Sequence, residues 1–183
     1  MNSSAQANDI LVILSEDKVI SEAMVKKVRL EKSSTGKALK DIILDHNLAS
    51  KEQIAKAEAK FFNVPFISLS DAAISPEALG KISRQVSDRY TIIPLEYNSK
   101  TNELSVAMVN PIDLEAIEFL ERKSGARIKP LMSTREQIEK AIATQYTQDL
   151  SSEVKSALKE TGRTPEKSEP VDVLKMGQVI RES

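Results

Sequence analysis

Thr35–Gly36–Lys37 has the form of the last part of a phosphate-binding loop. Such a loop cradles phosphate on backbone amides, and its lysine and a following hydroxyl meet phosphate and magnesium. The full pattern also needs a glycine where Glu31 stands and a Ser or Thr where Ala38 stands. Glu31 keeps the amides from closing on a phosphate, and Ala38 brings no hydroxyl, so a turn between helices is the better reading. His46 is the only histidine, and there is no cysteine. Metal sites usually gather several such ligands, so neither a metal centre nor a His-based triad is expected. Ser and Lys are common, but nothing singles out a nucleophilic pair. Glu115, Glu118 and Glu121 read as a solvated helix face. Arg122, Lys123 and Arg127 follow them, where cations suit the end of a helix dipole; an anion site is the minority reading. No catalytic, cofactor or metal residue is assigned, and the chain alone is not expected to be an enzyme.

The stronger signal is a repeat. Residues 10–31 and 39–60 share a pattern at an offset of 29, the step from Ser21 to Ser50. Ile10 matches Leu39, Ile13 matches Ile42, Leu14 matches Ile43, Val19 matches Leu48, Val25 matches Ile54, and Val28 matches Ala57. A helical unit used twice cannot bury its apolar stripe alone, so the two copies are expected to pack together. Ser21 reads as a helix cap. Ser50 with Gln53 has the form of a capping box. Ser33 to Gly36 read as the break between the copies.

After Asn63–Val64–Pro65 the pattern changes to short strands and helices. Phe66, Ile67 and Leu69 suggest a strand, and Ser75–Pro76–Glu77 a helix start. Ile92 to Tyr97 and Leu104 to Met108 read as a hairpin over the loop Asn98–Asn102. Asp113 and Gly125 bracket a helix, Ile128 to Met132 read as a strand, and Ser133 with Glu136 as a second capping box. The fold class is therefore α+β: a tandem helical module (1–62), then a two-layer β-α-β-β-α-β-α domain (63–147). Residues 148–170, with two prolines in a charged stretch, read as a flexible linker. Residues 171–183 turn apolar again and read as the opening of something larger.

The chain has 183 residues and a net charge of −1, so it has no basic field to attract nucleic acid or an anionic membrane. Trp is absent and aromatics make up 4%, which argues against a stacking platform for single strands. No apolar run reaches the roughly 20 residues of a membrane span, and MNSSAQANDI lacks the form of a secretory signal. A cytoplasmic protein without direct membrane insertion is expected.

The two-copy unit, the Gly36 break, the NVPFISL segment and above all VAMVNPIDLEAIEFL (Val106 to Leu120) resemble one known arrangement. It is the N-terminal region of the ATPases that power type II secretion and type IV pilus assembly. The likeness runs over roughly residues 9 to 147. It implies a non-catalytic docking or regulatory region, peripheral to the inner membrane. Its partners would be the cytoplasmic part of a platform protein and its own motor domain, with residues 171–183 leading into that motor. ATP and magnesium would belong to the motor alone.

Some family members bind cyclic di-GMP through a motif resembling RLGxxLLxxGLI…LxxALxxQ, used twice at the same offset. Here the Arg places hold Asp9 and Ala38. The first Gly places hold Leu11 and Lys40, the second Lys18 and Asn47, and the Gln places Lys32 and Phe61. Losing the Arg forks and the close glycine approach counts against cyclic di-GMP as a ligand; a dinucleotide sensor is the alternative function. Leu11 and Val12 face charged counterparts Lys40 and Asp41 in copy two. They are therefore expected to be an exposed partner-binding face.

Overall fold

The computed structural model describes residues 9–146. The expected linker over 148–170 and motor lead-in over 171–183 lie outside the described residues.

The duplication is realised turn by turn. Helix α1 (Ile10–Glu16) and helix α3 (Leu39–Asp45) share the sequence offset at both ends. Each is followed by a residue with positive φ, Lys18 at 59° and Asn47 at 51°. The hydrogen bonds around those residues also match: Val19 N to Leu14 O at 2.9 Å, and Leu48 N to Ile43 O at 3.0 Å. Helices α2 (Glu22–Thr35) and α4 (Lys51–Phe61) then start on Ser21 and Ser50. Ser50 makes the full box, its hydroxyl accepting from Gln53 N at 3.2 Å and its own N–H donating to Gln53 Oε1 at 2.8 Å. Helix α2 outlasts the expected break at Ser33. Thr35 and both serines turn their hydroxyls back onto carbonyls of the preceding turn, leaving Gly36, at φ 68°, to end the helix left-handed.

The apolar stripes are shared between copies: α1 packs on α4, and α2 packs on α3. Leu11, Ile13, Leu14, Ile20, Val25 and Val28 close one core with Ile42, Ile43, Ala49, Ile54 and Ala57. This corrects the expected exposure of Leu11. Leu11 is fully buried, while Val12 is half-buried at the surface. The copies differ at this place because α1 turns Leu11 into the shared core, whereas Lys40 is exposed and pairs with Glu58.

Beyond α4 come short helices α5 (Pro76–Lys81) and α6 (Arg84–Tyr90). Strands β1 (Ile92–Asn98), β2 (Glu103–Met108) and β3 (Arg127–Met132) follow, with α7 (Leu114–Ser124) before β3. A last helix, α8, runs over 135–146. The sheet order is β1-β2-β3, the first pair antiparallel and the second parallel. The hairpin turns where expected because Asn98 Oδ1 accepts from Lys100 N and Thr101 N, and Asn102 supplies a positive φ of 51°. The strand expected at Phe66 contracts to a single bridge to Met132, held by Ile67 N to Met132 O and Met132 N to Pro65 O, both 2.8 Å. Pro65 itself has no N–H to continue the ladder.

The expected two layers gain a helix on the second sheet face. Ile92, Leu104 and Val106 face Ala116 and Leu120 of α7, while Ile93, Leu95 and Ala107 face Ile138, Ile142 and Tyr146 of α8. Neighbouring apolar residues such as Ile92 and Ile93 point to opposite faces, so both need cover. Two caps also differ from expectation. Ser75 makes no side-chain cap and instead donates its N–H to Leu95 O at 2.8 Å. The cap of α8 is Thr134, whose hydroxyl accepts from Gln137 N at 3.4 Å, because the Ser133 hydroxyl is taken by Ile67 O at 2.9 Å.

Leu11→Ala should lower unfolding free energy by about 2–4 kcal/mol, through lost burial and a residual cavity. Val12→Ala should cost less than about 1 kcal/mol. Urea denaturation of both variants checks this; equal costs would refute the placement of Leu11.

Candidate functional site

The groove lies where the copies meet. It has a volume of about 520 Å3 and is lined by Asp9, Ile10, Lys32, Ala38, Leu39, Lys40 and Phe61. Asp9 and Ala38 are the caps that open α1 and α3, and Lys32 and Phe61 lie in the last turns of α2 and α4. Repeat-related residues, Asp9 with Ala38 and Lys32 with Phe61, therefore stand together in one groove. Five of the motif places named from the sequence converge here, those held by Asp9, Lys32, Ala38, Lys40 and Phe61. Leu11 is the place withdrawn into the core, and Lys18 and Asn47 stand at the turns behind.

The lining is mixed in charge. The Asp9 carboxylate accepts from Leu11 N at 3.3 Å and pairs with Arg29 Nη2 at 3.2 Å. Lys40 Nζ lies 2.5 Å from Glu58 Oε1, whose side chain is only 8% exposed. Lys32 makes no ion pair among the described residues, so its cation is available to a ligand. Phe61, beside it, is partly exposed and meets Phe62 edge to face at 5.1 Å. The groove thus offers the Lys32 ammonium and the Phe61 ring, beside a Lys40 ammonium already paired with Glu58 and an Asp9 carboxylate already paired with Arg29. Sequence reading missed Glu58 as the partner of Lys40. Its signal was the small-residue run Ala55–Ala57–Ala59, which lets neighbouring elements come close enough to cover a carboxylate.

The other chemically suggestive residues do not converge on a site. Thr35 Oγ1 donates to Glu31 O at 2.7 Å, and Lys37 N donates to Thr35 Oγ1 at 3.3 Å, so Thr35–Gly36–Lys37 is a helix end. The Asp45 carboxylate, 3.1 Å from Lys37 Nζ, holds that ammonium above its ordinary range. His46 Nε2 sits 2.7 Å from Glu31 Oε2. Among the described residues no cluster of His, Asp and Glu has metal-binding form. Glu118 pairs with Arg122 at 3.8 Å on the surface. Glu121 departs from the solvated face expected of it: its carboxylate accepts from Ile128 N at 3.1 Å and ties α7 to β3. Lys123 lies 6.0 Å from the Phe119 ring, and the Arg127 backbone N–H donates to Asn102 O at 2.9 Å where β3 begins.

Residues 62–152 match the MshEN domain family, leaving the duplicated helices outside the match. Two curated relatives are type IV pilus assembly ATPases PilB. The one from Myxococcus xanthus is 21% identical over 74% of this chain and 24% of the relative. The one from Thermus thermophilus is 24% identical over 61% of this chain and 12% of the relative. The chain therefore spans about a quarter and an eighth of the length of these relatives. Among solved structures, MshE with cyclic di-GMP shares the fold at a TM-score of 0.59 and 21% identity, over 74% of this chain and 96% of that one. This overturns the expectation that set cyclic di-GMP aside. That expectation weighed each replaced motif residue singly, whereas the fold itself is one solved with the dinucleotide. No helix among the described residues is long and apolar enough to cross a membrane.

Lys40→Ala should cost about 1–2 kcal/mol of stability: it strands the buried Glu58 carboxylate, and water reaches the exposed lysine and limits the loss. Lys40→Ala with Glu58→Ala should cost less than the sum of the single changes. Urea denaturation of the four proteins in the cycle tests this; strict additivity would mean the pair carries no coupling.

Proposed function

We propose, on the premise that this chain is an N-terminal region of the type II secretion and type IV pilus assembly ATPase family, that it works as a docking and regulatory module. In this reading it acts in the cytoplasm, against the inner membrane. It holds a motor domain to the cytoplasmic part of a platform protein, and its mechanism is surface burial. The observation that supports this reading is the sequence likeness to a short part of the much longer pilus ATPases. Hydrolysis of ATP with magnesium belongs to the rest of such a protein, and this region supplies no bond-making residue. The test is titration of the full chain with the purified cytoplasmic domain of the platform protein from the same system, followed by calorimetry. Saturable binding is expected. A flat titration with both proteins folded would overturn the docking reading.

A second reading is carried by the groove itself. Lys32, Lys40 and Phe61 face one space at the junction of two like units. A cyclic dinucleotide offers a phosphate for the Lys32 ammonium and a base for the Phe61 ring, and a second phosphate would share the Lys40 ammonium with Glu58. In this reading the module senses cyclic di-GMP and passes the signal to the motor. Calorimetry with cyclic di-GMP should show saturable heat, reduced about tenfold in affinity by Lys32→Glu, an effect of about 1.4 kcal/mol. Absence of heat with the unaltered chain would refute the sensor reading and leave the docking reading standing.

A further inference from the structure

We infer that the open groove between α1 and α2 is a docking site for a strand-to-helix corner of a different protein, one bringing an apolar anchor and a basic residue. This rests on the docking reading above and assigns its surface.

The duplication provides an internal standard. In copy two, Leu44, Lys51, Ile54, Ala55 and Glu58 form the helical wall of a cleft of about 220 Å3, whose other wall is the corner from Met132 to Glu136. That corner is the end of β3 and the start of α8. Ala55 and Ala59 pack on Met132 in one apolar cluster. Lys51 pairs with Glu136, which holds that carboxyl below its ordinary range. Gln137 Nε2 donates to Glu52 Oε2 at 3.3 Å.

The repeat offset carries this wall onto Ser15, Glu22, Val25, Lys26 and Arg29 of copy one. Those same residues, with Val12 and Glu16, line a groove of about 350 Å3. One helical surface thus occurs twice. The chain covers the second with its own sheet, and the first stands open among the described residues. Leu30, the counterpart of Ala59, marks the difference: Ala59 is 1% exposed and Leu30 is 71% exposed. An exposed leucine beside a groove floored by Val25 is apolar surface of the kind that contacts use.

Charge selects the occupant. Glu22 stands where Lys51 meets Glu136, so the sign at that place is reversed and a basic residue fits it. Lys26 stands where Ala55 stands in copy two, and Arg29, at the place of Glu58, already pairs with Asp9 at 3.2 Å, so Lys26 is the cation the far end offers to an acidic group. A second copy of this chain would bring Glu136 against Glu22, a like-charge contact that disfavours it. Its corner is also already seated on its own α4. The occupant is therefore a different protein with complementary charge, and the platform domain of the docking reading is the candidate.

The experiment uses the full chain with labelled Val and Leu methyls, titrated with the purified cytoplasmic domain of the platform protein and followed by NMR. Shifts are expected at Val12, Val25 and Leu30. Glu22→Lys and Leu30→Asp should each weaken binding about tenfold or more. Both positions are exposed, so both variants should stay folded, Glu22→Lys with a slightly lower melt because it puts a cation in the first turn of α2, and loss of binding is then not loss of fold. Full affinity in both variants, or shifts confined to the exposed Ile112 and Leu114, would overturn this surface and leave the docking reading intact. Failure of the unaltered chain to bind would remove both. Self-association of the unaltered chain in sedimentation, abolished by Leu30→Asp, would identify a second copy as the occupant and overturn the inference.

Discussion

The structure depends on an exchange of apolar stripes between two short helical units. Neither unit has enough surface to close a core: α1 and α3 are each 7 residues long, barely two turns. Isolated helices of that length are not stable in water. Crossing solves the problem, because α1 lies on α4 and α2 lies on α3, so each short helix is covered by the longer helix of the other copy. The exchange also fixes where the helix ends meet. The openings of α1 and α3 and the closing turns of α2 and α4 come to one place, and the groove follows from that geometry.

This constraint separates the positions that stayed alike from those that diverged. Ile13 and Ile42, Leu14 and Ile43, Val28 and Ala57 stay apolar because each closes the shared core. Lys18 and Asn47 differ in type but share a left-handed backbone, because the turn leaves no other route. Asn adopts that conformation more readily than most residues, and a lysine there is held by the hydrogen bonds of its turn. Ala38, Lys32 and Phe61 line the groove and stand outside the core, so the fold sets little limit on their chemistry, whereas Asp9 also caps α1 and pairs with Arg29.

Much of this was legible in the sequence because the repeat gave two readings of one structure. Caps at Ser21, Ser50 and Asp113 were readable from a polar residue ahead of an apolar run, and each accepts the expected backbone donor. What was not legible depended on contacts between distant residues. Leu11 looked exposed because its counterpart is a lysine, yet a lysine can sit at the rim of a core when its partner, Glu58, is brought near. Thr134 took the capping role from Ser133 because Ile67, far away in sequence, claimed that hydroxyl. The strand at Phe66 shrank to a bridge because Pro65 cannot continue the ladder. In the groove, the motif places were identifiable by number, but their convergence was visible only once the helices had crossed.

The seam between helices and sheet shows how a duplicated unit becomes asymmetric without loss of fold. Ala55 and Ala59 are small, and that smallness admits Met132 and Phe66 to α4. At the matching places copy one carries Lys26 and Leu30, longer side chains that hold an incoming element further from the helix than Ala55 and Ala59 do. The chain's own sheet docks on copy two, although both copies present the same helical frame. Lys51 and Glu136 also pair across the seam, but both are largely exposed, so the pair adds little to its stability. The two alanines against Met132 and the Gln137–Glu52 hydrogen bond lie with it on the face the chain covers itself. The other face stays open among the described residues.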